Sequence, residues 1–208
     1  MDNNTIFTIG YAGFSNRENF IKKLLEKGIT CIIDVRSQPY SAHYSEYNAE
    51  SLMSALKSHN IEYRNYARSF GARQLKKEYY ADEGYLSFKK FCASEEFNDG
   101  MEKIIAGMKK GYVLALMCAE KDPINCHRNI MVAKEFFKRG YAVINLWPDA
   151  EDESQEQLEA RLLKKYSFDR YEPNMFTNET YEEYIQKSTD AAYELRNKEI
   201  GFRTEEDD

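Results

Sequence analysis

Apolar runs of strand length alternate with helical patterns along most of this chain, and this alternation restricts its fold more than any other feature. The runs near residues 32 and 114 contain few polar side chains, which is typical of strands buried on both faces of a sheet. Four runs are predicted strands, at 5–9, 30–35, 113–117 and 141–146. Strands that alternate with helices over residues 1–148 predict an α/β fold, a Rossmann-like three-layer sandwich with a mainly parallel sheet.

Helix boundaries can be predicted from the residues between these runs. Ser15 and Glu18 have the spacing of a capping box, and apolar residues then recur with helical period until Gly28. Asn48 is a second predicted helix cap. We expect a strand at 61–66 and a loop at 68–73. Further helical patterns lie at 85–93, 97–108 and 128–139.

The composition changes after Pro148, where an acidic stretch begins. Two helical patterns follow, at 158–166 and 181–196. We therefore expect residues 149–203 to form a helical extension that docks on the α/β domain. Residues 204–208 are mostly acidic and are expected to be disordered.

Several chemically reactive side chains lie in a short stretch after the predicted strand at 113–117. Cys118 and Glu120 come directly after that strand. A helix beginning near residue 123 or 125 would carry Cys126, His127 and Arg128 in its first turn. Open α/β sheets place their ligands at the carboxyl ends of strands, next to helix amino termini. The stretch therefore predicts a functional site.

The same edge of the sheet should receive residues that follow the other strands. Tyr11 follows the first strand, and Asp34 with Arg36 comes at the end of the second. Arg68 and Arg73 lie in the loop predicted after 61–66. Arginine and aspartate are rarely buried without partners, so core packing alone does not explain this convergence.

Four motifs occur in order along the predicted α/β domain. They are Thr8-Ile9-Gly10-Tyr11, Asp34-Val35-Arg36 with Pro39, Phe70-Gly71-Ala72-Arg73, and Cys118-Ala119-Glu120 with Cys126-His127-Arg128. Together they resemble the prokaryotic family DUF 488, a domain of unknown function, although Ala72 replaces the second glycine of that family's Gly-Gly-Arg loop. The resemblance covers residues 5–148. It implies a cytosolic α/β domain and supplies no reaction.

The residue types at this edge suit the binding of an anion. Arg36 and Arg128 could each grip a phosphate or carboxylate with two parallel hydrogen bonds. Tyr11, Arg68 and Arg73 complete the predicted set of ligand-binding residues. Free backbone N–H groups at a helix start favour negative charge in the same place.

The predicted catalytic residues are Cys126, His127, Glu120, Cys118 and Asp34. An exposed thiol at Cys126 would have a lowered pKa at the helix start, and His127 could move a proton near neutral pH. The carboxylates are candidate acids or bases. The alternative interpretation makes the charged residues an ion-pair network that braces the loops. Its members would be Asp34, Glu120, Arg36 and Arg128.

Metal binding is a further hypothesis, because Cys118, Cys126 and His127 are metal-ligating residue types and Glu120 could be a fourth ligand. The spacing lacks the Cys-x-x-Cys pair of ordinary zinc sites, and His127 directly adjoins Cys126. Neighbouring arginines would also repel a cation. We therefore predict no metal and no cofactor.

The leading hypothesis for function is an enzyme of unassigned reaction class that acts on a small anionic or nucleotide-like substrate. The alternative is a non-catalytic module that binds or senses a nucleotide or nucleic acid, although the net charge of −6 does not favour nucleic acid. No apolar run approaches the roughly 20 residues that span a bilayer. The amino terminus also lacks the basic and apolar segments of a signal peptide. We therefore expect a cytoplasmic protein that does not bind membranes.

Overall fold

Six strands form one sheet in the computed structural model of this chain, which describes residues 4–171 and 179–204. The strands are β1 (Thr5–Gly10), β2 (Cys31–Asp34), β3 (Glu62–Asn65), β4 (Leu114–Cys118), β5 (Ala142–Leu146) and β6 (Glu153–Ser154). Their order across the sheet is β3-β2-β4-β1-β5-β6, and every neighbouring pair is parallel except β5 with β6. The predicted α/β fold with a mainly parallel sheet is therefore confirmed.

Helices connect the strands and cover both faces of the sheet. They are α1 (Arg17–Glu26), α2 (Ala49–Lys57), α3 (Ala67–Phe70), α4 (Phe88–Cys92), α5 (Glu95–Lys109), a π-helix (Arg128–Ala133), α6 (Lys134–Lys138), α7 (Gln155–Lys165) and α8 (Tyr181–Ile200). No helix within the described residues is long and apolar enough to cross a membrane.

The two faces of the sheet carry separate apolar cores because successive strand residues point to opposite sides. On one face, Phe20 of α1 and Leu52 of α2 pack with Ile32 of β2. On the other, Met101 of α5 and Leu162 of α7 share a core with residues of β2 and β4. Because both faces are buried, the strands β2 and β4 are nearly continuous apolar runs in the sequence.

The sheet register brings the reactive residues to one edge. Asp34 at the end of β2 pairs with Met117 of β4, and Cys118 pairs with Gly10 at the end of β1. Because these three strands are parallel and adjacent, their carboxyl ends meet. The prediction that Asp34 and Cys118 lie at the same edge is confirmed.

Several local predictions were wrong or incomplete. Asn16, not Ser15, caps α1, since its Oδ1 accepts a 2.9 Å hydrogen bond from the Asn19 backbone N–H. Asn48 does precede α2, but its Oδ1 accepts from the Ser41 N–H at 2.7 Å and does not bond the helix. The helix predicted at 128–139 begins as a π-helix, and the short elements α3 and β6 were not predicted.

The helical extension packs on the second core. Leu158, Leu162 and Tyr193 are buried in the same apolar cluster as the α5 side chains. Buried polar contacts also join the two parts, because the Gln155 amide contacts Asn129 of the π-helix at 3.0 Å and 3.1 Å. Residues 172–178 of the extension and residues 205–208 of the predicted disordered tail lie outside the described residues.

Candidate functional site

Two thiols and an imidazole converge at the carboxyl end of β4. The ligand atoms of Cys118, Cys126 and His127 all lie within 4.8 Å of one another. Cys118 Sγ is 4.0 Å from His127 Nδ1. Cys118 is 6% exposed and Cys126 is 2% exposed, so both thiols are almost closed to solvent, whereas His127 is half-buried. We call these three residues the cysteine cluster.

A short turn places the second half of the cluster. Asp122 caps the 3-10 turn Pro123–Asn125, where its Oδ1 accepts a 3.1 Å hydrogen bond from the Ile124 N–H. Proline at the first position of a helical turn suits this geometry. The turn returns the chain to β4 and leads directly into the π-helix, whose first N–H groups donate to the Cys126 carbonyl. Asp122 is thus the cap of this turn.

The orientation of His127 is fixed by a backbone carbonyl. His127 Nε2 lies 2.9 Å from the oxygen of Val35, directly after β2. A carbonyl can only accept, so Nε2 carries a proton, and in the neutral ring Nδ1 presents its lone pair. That lone pair faces the thiols. The same arrangement orients histidines that bind metals, which commonly donate their second ring N–H to a carbonyl.

Arg128 is a fully buried guanidinium beside the cluster. It donates to the carbonyl oxygens of Glu120 at 2.5 Å and Lys121 at 3.3 Å, and to the Thr8 hydroxyl at 3.4 Å. None of these acceptors in the described part of the chain is a carboxylate. A guanidinium remains charged at all ordinary pH values, so a nearby anion would stabilise it.

The thiols supply that anion. Burial alone would raise the pKa of Cys126, but the hydrogen bond from Cys118 and the charges of Arg128 and His127 outweigh it, so this pKa lies well below its ordinary value. The hydrogen bond to Cys126, together with burial, holds the pKa of Cys118 well above its ordinary value. Burial would lower the pKa of His127, but its contact with the Cys126 thiolate raises it. A thiolate at Cys126 would balance the charge of Arg128.

Arg36 and Asp34 form a closed pair at the end of β2. Arg36 Nη2 lies 2.6 Å from Asp34 Oδ2, and Nε is 2.9 Å from Oδ1. Other residues also bind this pair. The Tyr63 hydroxyl donates to the Asp34 carboxylate at 2.6 Å. The Arg36 guanidinium donates to the Tyr47 carbonyl at 2.9 Å and to the Tyr11 hydroxyl at 3.4 Å. Both partners are buried, since Asp34 is 0% exposed and Arg36 is 5% exposed. This is the geometry of a bracing network.

The other predicted site residues lie apart from the cluster contacts. The Glu120 side chain is exposed and is not among the clustered ligand atoms, although its carbonyl binds Arg128. Arg68 is exposed in α3. Arg73 is exposed and places its guanidinium 4.7 Å from the ring centroid of Phe202. The predicted roles of these three residues stay predictions.

Sequence reasoning missed the residues that hold the site from a distance. A Cβ on Gly10 would lie 1.8 Å from the Glu120 carbonyl oxygen, so only glycine fits between β1 and the loop. From α8, Arg196 Nε donates to the Ile124 carbonyl at 2.8 Å, and its guanidinium also donates to Asn125 Oδ1. From α7, Arg161 pairs with Asp122 at 2.9 Å.

The comparisons with known proteins give one match. Residues 16–134, more than half of the chain, match the family model described as domain of unknown function DUF488. Searches of curated proteins and of solved structures found no match. The matched range contains both Asp34 and the cysteine cluster, and it ends before the helical extension. The chain therefore belongs to the DUF488 family.

Proposed function

We propose that this protein binds a divalent metal ion of the zinc type through Cys118 Sγ, Cys126 Sγ and His127 Nδ1. The observation that carries the proposal is the convergence of these three atoms within 4.8 Å. The hydrogen bond from His127 Nε2 to Val35 supports it, because it turns the Nδ1 lone pair toward the thiols. Two cysteines and one histidine are a ligand set that zinc accepts, with a fourth position left open.

The burial of the thiols favours an ion over an organic ligand. Cys118 and Cys126 are too enclosed for a substrate carbon to reach either sulfur without rearrangement. A bare ion needs only the space between the three ligand atoms. The objection from sequence spacing loses weight, because a strand end and a helix start bring the two cysteines together without a Cys-x-x-Cys pair.

The charges of the cluster are compatible with an ion. Two thiolates and a neutral imidazole would neutralise a divalent cation, and the charge of Arg128 would then rest on its neutral oxygen acceptors. Arg128 directs its donors to the carbonyls of Glu120 and Lys121 and to Thr8, and its charge stabilises the neighbouring thiolates. The open fourth position would let the ion polarise a bound water or substrate oxygen, which is the usual use of a three-ligand zinc site.

A zinc titration tests this proposal. Apo protein prepared with chelator and reductant is titrated with zinc against a chromophoric competitor. Wild type should bind one equivalent, and C118S, C126S and H127Q should each weaken binding by at least about 100-fold, more than the loss of an outer hydrogen-bond partner. C31S and C92S are matched controls. Absence of binding in folded wild type, or equal loss in C31S, would contradict the proposal.

A second candidate function uses the same residues without a metal. Cys126 and His127 lie beside Arg128, which has no carboxylate partner among residues 4–171 and 179–204, and this favours a thiolate nucleophile with His127 as proton carrier. Its substrate would be small and anionic or nucleotide-like, and the enclosing loop would have to open. Mass spectrometry after alkylation separates the two functions. A metal site protects Cys126 until a chelator is added, whereas a nucleophile site reacts at the same rate with and without chelator.

A further inference from the structure

A second cavity lies away from the cysteine cluster, between α4, the π-helix with α6, and α8. Its volume is about 430 Å³, within the range of small-molecule pockets, roughly 300–1,000 Å³. Phe88, Ile130 and Met131 give it an apolar wall, and Lys134 and Tyr193 line it beside them. None of these residues has a part in the proposed metal site.

The charged residues at the rim of this cavity are already paired. Lys89 lies 3.9 Å from Glu194. Lys138 lies 4.0 Å from Glu135 and 3.9 Å from Asp190. Each of these rim cations therefore has a carboxylate close by, and each rim carboxylate has a lysine.

Lys134 differs from both rim lysines. It is half-buried, and the ion pairs of the described residues do not include it. Its ammonium instead sits 4.0 Å from the ring centroid of Tyr193. Burial and the nearby charge of Lys138 lower the pKa of Lys134 below the ordinary value for lysine, although Asp190 and Glu135 oppose the shift from a distance. An anion bound in the cavity would stabilise the charged form of Lys134 against burial and against the repulsion from Lys138.

We propose that this cavity binds a small organic anion with an apolar body, such as an aromatic or branched carboxylate, and that Lys134 is its counter-charge. An apolar body would cover the wall formed by Phe88, Ile130 and Met131, which a free phosphate would leave bare. An organic cation would instead face the unpaired ammonium of Lys134. The proposal does not depend on metal binding, because it uses different residues and a different opening.

Calorimetric titration with phenylacetate and its neutral amide tests the proposal. Wild-type protein should bind phenylacetate at least tenfold more tightly than phenylacetamide. In K134M, which keeps a side chain of similar length over Tyr193, the carboxylate should lose that advantage. K89M removes a paired lysine from the rim of the same cavity, and it should keep the preference.

Three results would overturn this inference. One is equal affinity of wild type for the acid and the amide, and another is the same preference in K134M as in wild type. The third is no binding of phenylacetate by folded wild type at millimolar concentration. Zinc-free protein is used throughout, so failure of the metal proposal would leave this result unchanged.

Discussion

Two neighbouring strand ends each bury an arginine, and the two arginines differ in their partners. Arg36, after β2, meets the Asp34 carboxylate at 2.6 Å and has its remaining donors on oxygen atoms of Tyr47 and Tyr11. Arg128, beside β4, has only carbonyl and hydroxyl acceptors in the described part of the chain, and two thiols stand next to it. The first arginine is paired with a carboxylate, while the second has neighbouring thiols as its nearest acidic groups among the described residues. This difference is why we propose the function for the end of β4 and a bracing role for the end of β2.

The largest expected effect comes from breaking the brace. Asp34→Ala leaves Arg36 charged, buried and unpaired, which should cost about 3–5 kcal/mol of the free energy of unfolding. Urea denaturation measures this loss. The exposed pair of Glu62 with Arg64 is the control, and Glu62→Ala, which also removes the acceptor of the Tyr112 hydroxyl, should cost much less than D34A.

The brace and the cysteine cluster should also separate in zinc binding. Folded D34A should retain zinc within a factor of about ten, as for loss of an outer contact, whereas C126S should lose zinc and keep most of its stability. If D34A is as stable as wild type and no longer binds zinc, then Asp34 acts in the metal site and does not brace Arg36.

The next effect comes from the helical extension. Arg196→Ala removes a buried charged donor from the Ile124 carbonyl and from Asn125, and it should cost about 1.5–3 kcal/mol. The turn before Cys126 should then loosen, so alkylation of Cys126 in metal-free protein should accelerate. Arg203→Ala, an exposed arginine near the same helix, is the control. An unchanged alkylation rate in R196A would show that the extension does not position the turn.

A glycine pair probes the closeness of β1 to the loop. Gly10→Ala places a methyl group against the Glu120 carbonyl and should cost about 1–3 kcal/mol through overpacking, with weaker zinc binding. Gly107→Ala in α5 meets only Leu114 at 3.9 Å and should be neutral or stabilising. Equal thermal midpoints for the two variants would mean that the loop does not press on β1.

The smallest effect is a pH dependence at Asp122. Burial would raise the pKa of Asp122, but Arg161 and the Ile124 N–H prevail and lower it. Its stabilisation is therefore complete above the ordinary pKa of aspartate, about 3.9, and is lost as pH falls through the lowered pKa. Because the pair is about one-third exposed, D122N should cost under about 1 kcal/mol at neutral pH. Its difference from wild type should vanish in acid, and a constant difference would contradict this assignment.

The sheet was predictable because burial on both faces leaves a direct trace in the order of apolar residues. That trace located β2 and β4, and their parallel direction placed Asp34 and Cys118 at one edge. The hydrogen-bond partners of Arg36 and Arg128 could not be predicted from the sequence pattern. Asp34 and Arg36 are compatible with either an anion site or a brace, and only the 2.6 Å contact distinguishes them.

Contacts between distant parts of the chain and the type of the helix at Arg128–Ala133 could not be predicted either. Arg196 is far along the chain from the turn it holds, and the pattern of α8 does not reveal that contact. The π-helix at Arg128–Ala133 differs from an α-helix in its hydrogen bonds, whereas its apolar residues follow an ordinary helical pattern. Spacing along the chain did not reveal that Cys118, Cys126 and His127 come together at the sheet edge, and the absence of a metal stays a prediction.

X-ray absorption at the zinc edge of the loaded wild-type protein would show which residues hold the ion. We expect two sulfur neighbours at about 2.3 Å and at least one nitrogen neighbour at about 2.0–2.1 Å. C126S should lose one sulfur neighbour, and C31S should keep both. A first shell that contains only oxygen and nitrogen in wild type would contradict the account, because the ion would then lie away from Cys118 and Cys126.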